Sequence, residues 1–529
     1  VCDGDTKQVC DGMGGFKDVE ACTGICIPGQ GCTVCVPNEA TCEGDVAHVC
    51  NDEGSGTVDV VCDGVQGVTC EADLGCTGAC APATLGLSYI GCDYYPTVTA
   101  NVVGNNFHFA VAVANTTGQP ANVRIDQGNN VVAMAMVAPN GVSVINLPWV
   151  ASLKGSANSA TLMAVDGAYR LRSDQPVTVY QFDPVEYTLG PNNNSFTNDA
   201  SLLLPVNAWT RDYFVAARNQ WLWGGAVNYP GFYAVTASED NTTITLGPSP
   251  TGNNVRAGAG VQANGTGQVV LNQGDVLEVF SNGSLPEPAV SDLTGTRVTS
   301  DKPIQVIGGH FCTFIPHNVG YCDHLEESMP PYETLATEYI VSPPLIPTGG
   351  NVPKAHMVRV VATEADTTLT YDPPQNGAPA NIVQAGGYIE IPTTTADFKI
   401  TASKKILVTM YMQGQDAGGN SGDPAMALAV PIVQYRKSYL FHAPINYEKN
   451  YANIVAPTGA SVTLDGAPVN GFTVIGGSGF GVARVQLPNN VDGNHDISSP
   501  QAIGISVYGY GQYTSYWYPG GLDLDVIPQ

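Results

Sequence analysis

SDKPIQV, Ser300–Val306, decides the reading of this chain because it recurs. SDQPVTV stands at Ser173–Val179, ASKKILV at Ala402–Val408 and SPQAIGI at Ser499–Ile505. In each copy a short turn leads into apolar residues at i and i+2. That alternation marks a half-buried strand closing a hairpin. It places Val177, Val179, Ile304, Val306, Ile406, Val408, Ile503 and Ile505 against a core. A second block precedes it: YAVTASEDNTTITL from Tyr233, VRVVATEADTTLTY from Val358 and a shorter NIVAPTGASVTL from Asn453. Its turn joins two strands whose Thr and β-branched residues suit a pleated surface. Each copy then holds six or seven short strands in roughly 100 residues, the size of an antiparallel sandwich. The expectation is an all-β chain with four tandem antiparallel β-repeats at residues 83–200, 201–328, 329–428 and 429–529. A string of sandwiches is the favoured arrangement, and propeller-like closure of the repeats is the alternative.

Composition agrees. The 529 residues include 60 Gly and 37 Pro, 43% are hydrophobic and only 13% are charged. Few charges, many turn residues and ample apolar material exclude a helical bundle and a disordered chain. Lys+Arg is 20 against Asp+Glu 47, a net charge of −27, which repels phosphate backbones and anionic lipid. Nucleic acid is therefore not an expected partner. The longest apolar run, Val131 to Val150, is broken by Pro139, Asn140 and Gly141 and reads as two strands, so no membrane span is expected.

Thirteen of the fifteen cysteines lie in the first 92 residues, the mark of a disulfide framework in an oxidising compartment. CDGDTKQVC from Cys2 matches CEGDVAHVC from Cys42, and the following cysteines keep register, Cys22 with Cys62, Cys26 with Cys70 and Cys32 with Cys76. Residues 1–82 read as Cys-rich repeats forming a disulfide-stapled stalk, too small to hold a core. A six-Cys unit running from Cys35 to Cys76 predicts the bridges Cys35–Cys42 and, in the next unit, Cys80–Cys92, and sets the mate of Cys2 upstream of Val1. The chain starts without a leader, so a signal peptide is expected to have been removed or to lie outside this numbering.

Several further stretches, CDHLEESMPPYETL (Cys322–Leu335), GDPAMALAVPIVQYRKSYLFHAP (Gly422–Pro444), SDKPIQVIGG (Ser300–Gly309) and SYWYPGG (Ser515–Gly521), together resemble the IgGFc-binding N-terminal domain family over about residues 85 to 525. The resemblance implies an extracellular, non-enzymatic protein of surface or matrix biology, often with Cys-rich repeats in front. It carries over no residue-level binding motif.

Four constellations carry chemistry. His310, Cys312, His317, Cys322 and His324 fall within fifteen positions. The reading is a Cys312–Cys322 disulfide pinning a loop rather than a metal, worth about 2–3 kcal/mol from chain entropy. Ser421, in GNSGDP, has the look of a protease nucleophile but lacks an identifiable His base and Asp. Asp3, Asp5, Glu43 and Asp45 read as turn residues. No cofactor is expected, calcium being the one ion such carboxylates could take, although no Ca²⁺-loop spacing is present. Tyr508, Tyr510, Tyr513, Tyr516, Trp517 and Tyr518 form either an exposed aromatic binding surface or packing at a domain edge. The sequons at Asn115, Asn193, Asn241, Asn264 and Asn282 matter only in a glycosylating source. The functional expectation is a non-enzymatic secreted or cell-surface structural or adhesive protein that associates with itself in a fibre or array. The alternative is a monomeric module recognising a glycan or glycoprotein.

Overall fold

A computed structural model describes residues 1–529 apart from 224–226, 285–287, 348–349, 490–491 and 525–529. Two compact units result, Val1–Gly86 with Arg172–Pro176, and Leu87–Leu171 with Val177–Gln529.

The first unit is built of short hairpins. In the matched segments, Gly4 (φ 55°) and Gly44 (φ 60°) take the left-handed conformation that lets CDGD and CEGD turn tightly between strands. The bridges are Cys2–Cys26, Cys22–Cys32, Cys35–Cys50, Cys42–Cys70 and Cys62–Cys76. This keeps the register of the repeat, since Cys2–Cys26 matches Cys42–Cys70 and Cys22–Cys32 matches Cys62–Cys76. It overturns the predicted Cys35–Cys42 bridge and the unpaired Cys2. Cys42 lies on the hairpin strand Ala40–Glu43, and both Cys35 and Cys42 bond elsewhere, to Cys50 and Cys70. Spacing alone does not give connectivity. Cys10, the counterpart of Cys50, is the free thiol among the described residues. Cys80 and Cys92 are both oxidised.

The second unit holds four curled sheets built on one plan. Each is organised by a long strand: Arg170–Asp183, Arg297–Thr313, Phe398–Met412 and Asn494–Gly511. The SDKPIQV-type segments lie inside these strands. They are bends rather than the turns of separate hairpins, and Pro176, Pro303 and Pro500 sit where a ladder amide is dispensable. In the second sheet the N-terminal half of the long strand pairs with Thr210–Phe214 and Thr242–Gly247. Its C-terminal half pairs with Gly231–Ala237 and Asp323–Ser328. The third and fourth sheets repeat this pattern. The bend lets the apolar faces of both halves meet, Val298, Ile244 and Leu246 sharing a cluster with Val235 and Val306. All eight anchor residues from Val177 to Ile505 are buried. The second sheet also takes an outer strand, Leu162–Ala164, from within the span assigned to the first repeat.

A tyrosine fixes every bend. Tyr94, Tyr213, Tyr339 and Tyr439 each accept the amide of the residue three before, Gly91, Thr210, Ala336 and Arg436. Three of them also donate to the carbonyl at the bend, Tyr94 to Val177, Tyr339 to Ile406 and Tyr439 to Ile503.

The last strand of each repeat, Asp199–Leu203, Asp323–Ser328, Met426–Leu428 and Thr514–Pro519, pairs with its long strand and is buried throughout. First packs on second, second on third, third on fourth and fourth on first. The repeats therefore close into a ring of sandwich-like sheets, not the favoured open string. Tyr180 of the first sheet lies 4.9 Å from Tyr518 of the fourth, ring centre to ring centre and tilted by 46°, and donates to the carbonyls of Leu440 and Gly520.

Candidate binding site

The four central strands turn one edge toward a common axis, and an edge exposes amides that need acceptors. Asp199 supplies them. Its Oδ1 accepts the amides of Ala200 (3.0 Å) and Trp517 (3.1 Å), and its Oδ2 those of Glu326 (3.2 Å) and Met426 (3.1 Å). One carboxylate thus takes one amide from each repeat, at equivalent positions. Two residues earlier along each strand, amides point the same way. There Asp323 accepts from Asn198 (2.7 Å), His324 (2.9 Å) and Ser515 (2.9 Å), and from the Thr514 hydroxyl (3.0 Å). The fourth position is Pro424, which has no amide to satisfy. Further along the axis, Glu327 accepts from Leu428 (3.4 Å). Burial pushes the Asp199 carboxyl well up, against the pull of the amides of Met426, Ala200 and Trp517.

An aromatic bowl of about 720 Å³ opens at the Asp323 end of this axis, within the second unit. Its rings come from the residues that lead into the central strands and from a neighbouring hairpin. Phe196 stands before Thr197, Tyr321 before Cys322 and Tyr513 before Thr514, with Trp221, Tyr229 and Phe314 completing the wall. Trp221 stacks on Phe314 at 4.3 Å, and Tyr513 meets Tyr321 at 5.0 Å and Phe196 at 5.9 Å. Phe196 and Tyr321 are 47% and 48% exposed. Phe196 (φ 58°) and Tyr513 (φ 65°) occupy the left-handed region, a strained place for a bulky side chain and one that clusters at functional sites.

The bowl is held from below. Asp423 accepts the amides of Tyr321 (3.1 Å) and Gln415 (3.0 Å). Beneath it the buried Lys354 donates to the Gly422 carbonyl (2.8 Å) and lies 5.3 Å from the Tyr510 ring centre. Burial raises Asp423 and lowers Lys354, and each charge partly offsets the burial of the other. The disulfide Cys312–Cys322 forms part of the wall.

The predicted aromatic surface divides. Tyr508, Tyr510, Tyr516, Trp517 and Tyr518 are fully buried, which corrects the binding-surface reading for these five. Tyr508 donates to Asn453 Oδ1, Tyr510 to the Leu345 carbonyl and Tyr516 to Asn450 Oδ1, so their hydroxyls are satisfied inside the fold. Tyr513 alone of the six reaches the bowl. Phe196, Trp221, Tyr229, Phe314 and Tyr321 were missed. An aromatic one or two positions before the recurring Thr or Asp (FTND, YCDH, YTSY) was the available signal. Ser421 directs its hydroxyl to Glu448 (3.3 Å) and the Gly511 carbonyl (3.4 Å). Of the clustered histidines, His310 bonds to the Asn219 carbonyl and His324 enters a buried acidic group.

A disulfide-rich arm and a closed ring of sheets carrying an apolar bowl define an all-β chain suited to an oxidising, extracellular compartment. The chain belongs to the IgGFc binding protein family, whose model matches residues 199–509. It is 26% identical over 420 residues to the IgGFc-binding protein of Homo sapiens, covering 76% of this chain and 7% of that protein. Among solved structures, the BSP domain of a biofilm associated protein aligns with 83% of this chain and 97% of its own at 7% identity and a TM-score of 0.15. Among the described residues no helix is long and apolar enough to cross a membrane.

Proposed function

We propose that the chain is a non-enzymatic extracellular recognition module whose aromatic bowl binds a glycan-bearing protein. The observation that carries this is the pair of half-exposed rings, Phe196 and Tyr321, gathered with Tyr513 over an apolar floor. Ring faces stack on the C–H face of a sugar. The name of the human relative records binding to IgGFc, which favours a protein carrier over a free small molecule. The test is a glycan array and a panel of immobilised glycoproteins, IgG Fc among them, probed with the full chain and with Phe196→Ala, Tyr321→Ala and Tyr513→Ala. Each variant is expected to lose about tenfold or more in affinity. Ligands bound equally by parent and variants would remove the bowl from this role.

A second reading, self-association, rests on another observation. Asn130–Val137 is one of the two edge strands of the first sheet, and it exposes Val131 (48%), Met134 (74%) and Met136 (67%) without a Lys to guard it. Such an edge accepts a strand from a second copy. The −27 charge opposes this at low ionic strength, so larger species should grow as salt screens it. Sedimentation across a salt series checks this. A chain monomeric at every salt, or a Met134→Lys/Met136→Lys variant that assembles like the parent, refutes it.

A further inference from the structure

Behind the bowl, and unused by it, Asp183, His324 and Glu326 meet in a fully buried group joining the first sheet to the second. His324 Nε2 lies 3.8 Å from Asp183 Oδ2 and 3.9 Å from Glu326 Oε2, and the two carboxylate atoms are within 4.8 Å of each other. A point equidistant from the three atoms is about 2.1–2.5 Å from each, the length of a metal–ligand bond. Thr99 Oγ1 stands over it, 3.0 Å from both carboxylate oxygens and 3.3 Å from the imidazole nitrogen. That puts the hydroxyl about 2 Å above the same point, at bonding distance for a fourth ligand.

A shortage of positive charge points the same way. The Thr99 hydroxyl proton can serve only one of its three neighbours, and the other donors to the two carboxylate oxygens, the Thr99 amide on Asp183 Oδ2 (3.3 Å) and the Gln181 amide on Glu326 Oε2 (3.0 Å), are neutral. Glu326 Oε1 and Glu278 Oε2 are buried without a hydrogen-bond partner, and Glu278 is fixed beside the group by the Ala100 amide (3.0 Å). The lysine that reaches Asp183 electrostatically, Lys154, spends its ammonium on the Val103 carbonyl and Asn105. The surrounding shell is ordered as ligands require. Asn101 donates to Asp183 Oδ1 (3.0 Å) and Gln181 to Glu326 Oε2 (3.0 Å), which orients both carboxylates toward the centre.

We infer that Asp183 Oδ2, His324 Nε2, the Glu326 carboxylate and Thr99 Oγ1 form a structural site for one divalent transition-metal cation of the zinc class. One imidazole with carboxylate and hydroxyl oxygens suits zinc better than calcium, whose ligands are all oxygen. Complete burial leaves no open coordination position for substrate, so the ion's work is to clamp the end of the first long strand to the second central strand.

The full chain, unfolded with chelator and refolded with or without one equivalent of zinc, tests this. After exhaustive dialysis the zinc-refolded protein should retain one zinc per chain by elemental analysis and melt several degrees above the chelator-refolded one. Asp183→Asn/Glu326→Gln, which keeps the shape, should retain none. A parent that refolds cooperatively without retaining zinc overturns the site, as does a double variant that retains as much. X-ray absorption on the zinc-loaded parent decides the matter if the variant fails to fold. One nitrogen with three or four oxygens is expected, and two or more imidazoles or any sulfur refutes the assignment.

Discussion

Asp199 offers the sharpest test of how the ring is closed. Asp199→Asn preserves size and planarity but replaces one acceptor oxygen with a donor. Whichever way the amide is turned, two of the four amides from Ala200, Glu326, Met426 and Trp517 face an NH₂ group. Each buried amide left without an acceptor costs about 1–3 kcal/mol. Together that is about 2–6 kcal/mol; removing a buried charge returns part of it, so the net loss should be about 1–4 kcal/mol. The unit containing the ring has roughly 440 residues. At ~2.1 cal/mol/K per residue its unfolding entropy is ~0.9 kcal/mol/K, which converts that loss into a fall in Tm of about 1–4 °C.

Calorimetry reads the shift, and amide hydrogen exchange shows where it arises. Peptides spanning Asp199–Leu203, Asp323–Ser328, Met426–Leu428 and Thr514–Pro519 should all exchange faster in the variant, although they are far apart in sequence. A variant that melts within a degree of the parent, or that loosens only its own strand, would refute the idea that one carboxylate ties four repeats together.

Phe196→Gly should abolish ligand binding yet raise stability by about 1 kcal/mol, because glycine relieves the left-handed strain at φ 58°; a thermal melt beside a binding assay separates the two effects. His356 is buried with neither ring nitrogen partnered, and burial pulls it down to about 3. Its folded value lies below the unfolded 6.5, so stability is complete above pH 6.5 and drains away as pH falls toward 3, by up to about 4–5 kcal/mol; His356→Phe should flatten urea-derived stability between pH 6.5 and 4. Cys312→Ser/Cys322→Ser opens a ten-residue loop and should cost about 2–3 kcal/mol, with weaker ligand binding because the bowl loses part of its wall. Reductant should reproduce that loss in the parent and not in the double variant.

The all-β class and the buried anchors were legible because period-two alternation and turn chemistry are local. Ile304 and Val306 announce a buried face from their own neighbours. The bend through Ser300–Val306 was read as a turn because Pro303 and Lys302 resemble one, and only the pairing partners on either side show that the strand continues. Ring closure stood only as the propeller-like alternative to an open string, for a different reason. It depends on Asp199 reaching amides as distant as Trp517, and no local pattern encodes that. The aromatic run at Tyr508–Tyr518 was ambiguous because alternating Tyr satisfies an interior lined with polar atoms as well as a surface. Only Tyr513, at the turn between two strands, breaks the alternation and faces out. The disulfide register was right and its connectivity was not, since matching cysteines to cysteines says which positions are equivalent and nothing of which ones meet.

The position of the bowl over the axis gives its exposed rings a physical basis. Loops bearing large aromatics would ordinarily have to be ordered when a ligand arrives, at about 0.5–1.5 kcal/mol for each side chain immobilised. Here that ordering is done by the groups that close the ring. Asp323 holds Ser515 and Thr514, and so fixes Tyr513 next to them. Asp423 holds Tyr321 by its amide, and the Cys312–Cys322 bridge stands beside it. Phe196 precedes Thr197 and Asn198, whose amide is bound by Asp323. A low-charge chain with few lysines would be exposed to edge-to-edge association if its four central strands were open. Turning those edges inward onto buried carboxylates removes that hazard and, in the same step, anchors three ring-bearing loops at one end of the axis. The outer strand Asn130–Val137 is not covered in this way, which is why any association between copies should begin at the first sheet and leave the bowl free.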